Sequence, residues 1–109
     1  MDNGNDKVIL FEILTPLNFT VRTTKNYWKI ITTIKHPIMK EKEDAVKKTL
    51  SDPDEIRKSK NDQNVYLFYK RENEKEWVCA IAKRLNGEGF LITAFPTDSI
   101  KEGERIWNK

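Results

Sequence analysis

The sequence has little of the material from which disulfides and zinc sites are made. Its 109 residues include one cysteine, Cys79, and one histidine, His36. A single cysteine cannot form an internal disulfide, and without a second Cys or His nearby it does not supply a structural zinc site. We therefore expect an inert, reduced thiol, no metal or cofactor, and a cytoplasmic location.

Long apolar runs and glycine-rich loops are also absent. The longest apolar run, VILFEIL at residues 8–14, is far shorter than the roughly 20 residues that a membrane helix needs. The N-terminal MDNGNDK is polar and acidic, unlike a secretory signal. The four glycines form no phosphate loop, and the acidic residues do not converge as a two-metal nuclease requires. A membrane protein, a P-loop enzyme and a metal-dependent nuclease are therefore not expected.

The charge of the sequence is small in total and uneven in distribution. The formal net charge is +3, but residues 22–48 contain eight Lys or Arg against three Asp or Glu. A basic surface in this segment would attract phosphate, although a solvated lysine-rich helical face is the commoner meaning of such a run. The pattern leaves an anionic partner and a plain surface helix as alternatives.

The apolar pattern predicts one α+β domain over residues 1–109, with its core in about 8–107. A hairpin is followed by two helices and a four-stranded meander, and the helices pack on one face of a mainly antiparallel sheet. Thr24 is a plausible N-cap for the first helix. The first seven residues and the tail beyond Trp107 are expected to fray. The predicted elements are strands at 8–14 and 19–24, a helix after Thr24, a helix at about 38–50, and strands at 55–59, 65–70, 76–83 and 89–95.

The histidine falls at the junction between the predicted helices. His36 lies immediately before Pro37, which disfavours helical geometry in the preceding residue but suits the first turn of a new helix. Histidine exchanges protons near neutral pH, and the neighbouring Lys35 and Lys40 would favour the approach of phosphate. The alternative is a structural role, as a helix cap or a partly buried residue at a bend.

Strand alternation predicts two faces for the meander. If the wholly apolar positions face the helices, polar and aromatic residues gather on the opposite face. Arginine offers planar donors to phosphate, hydroxyl groups orient an oxyanion, and an aromatic ring stacks a base. The residues expected on that face are Arg57, Ser59, Tyr66, Lys70, Thr93 and Thr97.

Each of these residues also has a structural interpretation. Arg57 is equally well explained as a surface charge that pairs with Asp54 or Glu55. Aromatic residues in strands are more often core residues than nucleotide platforms. Threonines are ordinary residues in strands and turns. The sequence alone therefore leaves a site and a packed sheet as alternatives.

Three segments resemble a known superfamily: VRTTKNYWKIITTIKHP, VKKTLSDPDEIRKSKNDQNVYLFYK and WVCAIAKRLNGEGFLITAFPTDSIKEGERIW. They resemble small uncharacterised bacterial and phage-associated proteins of the barnase, EndoU, colicin and RelE-like ribonuclease superfamily, over about residues 8–107. The resemblance implies a metal-independent endoribonuclease fold whose exposed sheet face holds the site. The sequence departs from the family pattern at Phe95, where a tyrosine is expected.

The resemblance also implies a set of site residues. In this interpretation His36 is an acid or base for the attack of an RNA 2′-hydroxyl on the adjacent phosphorus, Arg57 stabilises the pentavalent phosphate, and Ser59 orients it. The catalytic candidates are His36, Arg57, Ser59, Tyr69 and Thr93, and the RNA-binding candidates are Lys35, Lys40, Tyr66 and Lys70.

Two other functions fit the same sequence. A non-catalytic RNA- or protein-binding module would use the basic helices and aromatic strands without turnover. A toxin of a toxin–antitoxin or prophage system would have its activity masked by an antitoxin protein that covers the sheet. Substitution of His36 and Arg57 distinguishes the two: an enzyme would lose cleavage activity but keep its RNA binding, whereas a binding module would show no cleavage even as wild type.

Overall fold

The computed structural model describes residues 7–100 and 102–109; of the seven N-terminal residues expected to fray, all but Lys7 lie outside this part. The elements, in chain order, are β1 (Ile9–Leu14), β2 (Thr20–Thr24), α1 (Lys25–Ile30), a π-helix (Ile31–Lys35), a 3-10 helix (Pro37–Met39), α2 (Glu43–Ser51), β3 (Glu55–Lys58), β4 (Val65–Asn73), β5 (Glu76–Leu85), β6 (Glu88–Thr97) and β7 (Glu104–Asn108). No helix in the described part is both long and apolar enough to cross a membrane.

The strands form one sheet in the order β1-β2-β6-β5-β4-β3-β7. All neighbours are antiparallel except β2 and β6, which are parallel. Short polar turns join β4 to β5 and β5 to β6, so these strands form the predicted meander. The predicted α+β class, with a hairpin, two helices and a C-terminal meander, is confirmed.

The seventh strand was not predicted. β7 pairs with β3, and the amide of Lys109 donates to the carbonyl of Asp54 at 3.0 Å. The expectation that the tail beyond Trp107 frays is therefore wrong for its backbone. The sequence ERIWN shows little apolar alternation, so its strand conformation depends on pairing with β3 rather than on its own pattern.

The first helix begins where it was predicted. The hydroxyl oxygen of Thr24 accepts a hydrogen bond from the Tyr27 amide at 3.0 Å, which confirms the N-cap. The α-helix then widens into a π-helix, and the amide of His36 donates to the carbonyl of Ile31, five residues back, at 2.7 Å. His36 thus closes the widened turn.

The second helix begins later than predicted. Pro37 starts only a three-residue 3-10 helix, and α2 begins at Glu43 rather than at about residue 38. Ile38 lies in the 3-10 helix before α2 and is 65% exposed. Val46 and Leu50 are buried, because the apolar residues of α2 are spaced so that they share one face of the helix.

The main core lies between the helices and one face of the sheet. Ile31, Val46 and Leu50 of the helical region pack with Ile56 and Phe68 of β3 and β4. Because alternate residues of a strand share a face, the Phe68 face also carries Tyr66 and Lys70. The expectation that Tyr66 and Lys70 belong to the opposite face is therefore wrong.

The opposite face, called here the open face, has a smaller apolar cluster. Leu67, Tyr69 and Cys79 are buried there, and Ile100 packs against them. Ile100 belongs to the connection between β6 and β7, which must pass β5, β4 and β3 to reach the far edge of the sheet. We call the described residues of this connection, 98–100 and 102–103, the crossing segment. It covers the part of the open face where the sequence predicted an exposed site.

Candidate nucleic-acid interface

One edge of β6 is covered by the helical region instead of by a strand. β2 pairs with β6 at two positions only, the second being Arg22 with Phe90. Further along β6, the Tyr27 hydroxyl donates to the carbonyl of Ile92 at 2.8 Å, and the Lys35 ammonium donates to the same carbonyl at 3.1 Å. These two bonds hold the helical region against β6 and place the residues that follow Lys35 beside it.

His36 lies against the next part of that edge. Its ring is 5.2 Å from the ring of Phe95, centroid to centroid. Phe95 belongs to the open-face cluster, so the junction at His36 reaches the open-face side of β6. The half-buried histidine is therefore placed where a ligand on this side of the sheet could meet it.

Arg57 does not meet His36. The register places Phe95, Cys79, Tyr69 and Glu55 in one row across the sheet, and Arg57 lies in the adjacent row on β3. Three strand spacings of about 4.8 Å put β3 roughly 14 Å from β6. His36 beside β6 and Arg57 on β3 therefore lie three strands apart and do not converge on one site.

Arg57 is instead engaged in holding the crossing segment. Its Nε donates to the Glu55 carboxylate at 2.5 Å, and its Nη1 donates to the carbonyl of Gly103 at 3.2 Å. The pairing with Glu55 agrees with the structural role predicted for Arg57 as an alternative to catalysis. It leaves Arg57 as an anchor between β3 and the start of β7.

Three other catalytic candidates, Ser59, Tyr69 and Thr93, have side-chain hydroxyls that are buried or hydrogen-bonded within the protein. The Ser59 hydroxyl accepts from the amides of Asn61 and Asp62, at 3.1 and 3.4 Å, and so stabilises the β3–β4 turn. Tyr69 is 3% exposed, and burial raises its pKa above the usual range for a phenol. The Thr93 hydroxyl is buried and has no hydrogen-bond partner among the described residues.

The RNA-binding candidates separate into two groups. Tyr66 packs against Phe19 on the helix side, with ring centroids 5.3 Å apart, and Lys70 donates to the backbone carbonyl of Asp52 at 2.9 Å. Lys40 is exposed at the end of the 3-10 helix. Only Lys35 lies beside His36 at the β6 edge.

Sequence reasoning missed three residues that the structure brings to the same edge. The guanidinium carbon of Arg22 lies 4.5 Å from the Phe90 ring centroid, and the Lys35 ammonium lies 5.2 Å from that of Tyr27. We call the combined set the β6 row: Arg22, Tyr27, Lys35, His36, Phe90 and Phe95.

The β6 row combines two cationic side chains, Arg22 and Lys35, with aromatic rings. Glu88 pairs with Arg22, whereas Lys35 and His36 have no carboxylate partner among residues 7–100 and 102–109. In the same ranges no three His, Cys, Asp or Glu side chains come together as a metal site. The side chains of the β6 row can therefore bind an anion, stack against an aromatic ring and, through one imidazole, transfer a proton.

Comparison of the chain with protein-family models, curated proteins and solved structures finds no match. Function is therefore inferred from the geometry of the β6 row.

Proposed function

We propose that the protein binds single-stranded RNA along the β6 row. The observation that carries the proposal is the repeated pairing of side chains along one edge: the cations Arg22 and Lys35 lie against the rings of Phe90 and Tyr27, and the imidazole ring of His36 lies against that of Phe95. Single-strand binders combine a positive groove for the backbone with aromatic rings that stack bases.

The dimensions of the row suit a short stretch of an extended strand. Phe90 and Phe95 are five residues apart on β6, which is roughly 16 Å at about 3.3 Å per residue. Lys35 lies between them at the Ile92 carbonyl. A backbone that follows β6 can therefore meet two rings and a cation in succession.

RNA binding is tested by fluorescence anisotropy with a labelled single-stranded oligoribonucleotide at several salt concentrations. We expect Lys35→Gln to weaken binding and to reduce the slope of log K against log[salt] by about 0.7, the value for one lost contact with a single strand. Lys60→Gln is the matched control, because Lys60 is an exposed loop residue remote from the β6 row. Equal effects of both substitutions, or no binding at low salt, would reject the proposal.

RNA cleavage is the second candidate, and the position of His36 favours it. An imidazole within a phosphate-binding row can act as acid or base in attack by the 2′-hydroxyl, a reaction that needs no metal. Lys35, which precedes His36 in the chain and lies at the same edge of β6, would stabilise the phosphate in place of the distant Arg57.

Cleavage is tested with RNA in excess chelator, followed by analysis of the product ends. An enzyme of this kind leaves cyclic phosphate ends, and His36→Gln abolishes cleavage while the RNA remains bound. If pure wild-type protein binds RNA and does not cut it, the binding function stands and the enzymatic one falls. The toxin role, the antitoxin partner and the cytoplasmic location stay predictions.

A further inference from the structure

An open pocket of about 590 Å³ lies where β2 and β6 separate. The two parallel strands are paired no further than Arg22 and Phe90. β2 then ends as α1 begins at Lys25, while the register of β6 shifts between the partners of Ile81 and Ala82. The strands consequently diverge, and none of the strands formed by residues 7–100 and 102–109 occupies the gap between them.

The walls of this pocket are mainly apolar. Ile9, Phe90, Leu91 and Ile92 line it, and Tyr27 contributes a second aromatic ring. Ile9 is 47% exposed and Phe90 is 36% exposed, so apolar surface is left open to water. Pockets of a few hundred cubic ångströms lined mainly by apolar and aromatic side chains are typical binding sites for small molecules.

Cationic side chains complete the pocket. Lys7 and Arg22 both line it, and the Arg22 guanidinium is held over the Phe90 ring at 4.5 Å and paired with Glu88. A guanidinium fixed in this way both binds phosphate and presents a plane on which a base can stack. The pocket therefore combines a stacking surface with positive charge.

We propose that this pocket binds a nucleobase that carries a phosphate. The base lies against Ile9 and the exposed part of Phe90, and the phosphate is bound by Lys7 and Arg22. The proposal rests on the proposed RNA-binding function in one respect: the ligand is either a nucleotide of the bound strand, turned out of the row, or a free mononucleotide with the same chemistry.

The test is an NMR titration of the wild-type protein with adenosine and uridine monophosphates, with the matching nucleosides and with inorganic phosphate. We expect the monophosphates to shift the amide signals of Thr23, Thr24, Leu91 and Ile92. Phosphate or nucleoside alone should bind at least tenfold more weakly, since each makes only half of the contacts. The proposal is overturned if 10 mM monophosphate leaves these signals unchanged or if phosphate alone binds as well.

Two matched substitutions distinguish the pocket from the rest of the row. Phe90→Leu should weaken monophosphate binding about fivefold or more, because stacking on an aromatic ring is lost. Phe95→Leu should leave monophosphate binding unchanged and weaken only the oligoribonucleotide. If Phe90→Leu fails to fold, Ile9→Ser serves as the pocket variant, with the same expected loss. Equal monophosphate affinity of pocket variant and wild type overturns the proposal.

The combined titrations separate the two proposals. Binding of oligoribonucleotide without any monophosphate shift removes the pocket and keeps the RNA function. Binding of monophosphate without oligoribonucleotide keeps the pocket as a site for a free nucleotide and removes the RNA function. Absence of both removes both.

Discussion

The imidazole of His36 and the ring of Phe95 are in contact, with centroids 5.2 Å apart and planes inclined at 40°. His36 ends a π-helix that covers the edge of β6, and Phe95 projects from β6 into the open-face cluster. This pair joins the helical region to the far side of the sheet. Through this contact, His36 lies on the surface along β6 although it comes from the connection between two helices.

A double-mutant cycle should detect this contact in the stability of the free protein. We expect His36→Ala, Phe95→Ala and the double variant to give a coupling free energy of about 0.5–1.5 kcal/mol, the range for paired rings. Urea unfolding of the four proteins measures it. Strict additivity of the two single changes would show that the rings do not interact in solution.

Gly103 and Gly87 offer a test of how the crossing segment is attached. Both have positive φ, +82° and +84°, but a Cβ on Gly103 would lie 2.7 Å from the carbonyl oxygen of Lys58, whereas one on Gly87 meets nothing within 4 Å. Gly87→Ala should cost about 1–2 kcal/mol from backbone strain alone. Gly103→Ala should cost about 1–3 kcal/mol more, because the Arg57 anchor and the β3–β7 pairing are disturbed as well.

Thermal or urea unfolding of both alanine variants measures the difference. Gly87→Ala is the control for positive φ, since it carries the strain without the close approach. Equal losses of unfolding free energy in the two variants would mean that the chain around residue 103 can move to accommodate the added Cβ. The crossing segment would then not be packed tightly over the open face.

Several features of the fold follow from local sequence. Thr24 caps α1 because a hydroxyl before an apolar helical period suits the N-cap, and the meander follows from apolar runs separated by polar turns. The start of α2 does not follow in this way, because Pro37 is compatible with a short 3-10 turn as well as with an α-helix.

The faces of the sheet were harder to predict than the strands. Both alternating sets of VYLFYK are largely apolar, so periodicity alone does not say which set faces the helices. Both sets include buried residues in the structure, because Ile100 packs over Leu67 and Tyr69 on the open face while the other set packs against the helices. Contacts such as that of His36 with Phe95 join residues far apart in the chain, so a local sequence pattern does not predict them.

The buried hydroxyls of three threonines should respond differently to the same substitution. Thr15 and Thr23 are each 4% exposed; the Thr15 hydroxyl donates to the Phe19 carbonyl at 2.9 Å, whereas those of Thr23 and Thr93 have no partner among the described residues. Thr15→Val should lower the free energy of unfolding by about 1–2 kcal/mol. Thr23→Val and Thr93→Val should leave it unchanged or raise it, because valine removes an unsatisfied polar group at similar volume.

Urea unfolding measures all three variants. A loss at Thr93→Val as large as that at Thr15→Val would show that its hydroxyl has a partner in solution, such as an ordered water. In that case Thr93 would return as a polar group available on the open face.

The thiol of Cys79 should report on opening of the crossing segment. Burial raises its pKa to about 12, so the folded protein keeps the thiol protonated and unreactive at pH 8. The unfolded chain, with a pKa near the ordinary value, loses this proton from about pH 9 upward. Because only the unfolded chain releases this proton between about pH 9 and the folded pKa, raising the pH through this range favours the unfolded state. The free energy of unfolding should therefore fall with pH less steeply in Cys79→Ala than in wild type.

Labelling of Cys79 with a thiol reagent at pH 8 measures access directly. Ile100→Ser removes an apolar contact of the crossing segment with the cluster around Cys79 and should speed labelling by several-fold. Leu85→Ser, at an exposed hairpin position remote from the crossing segment, should leave the rate near that of wild type. Fast labelling of the wild-type protein, or equal acceleration by both substitutions, would contradict a crossing segment that seals this face, because the thiol would then be reached without displacing Ile100.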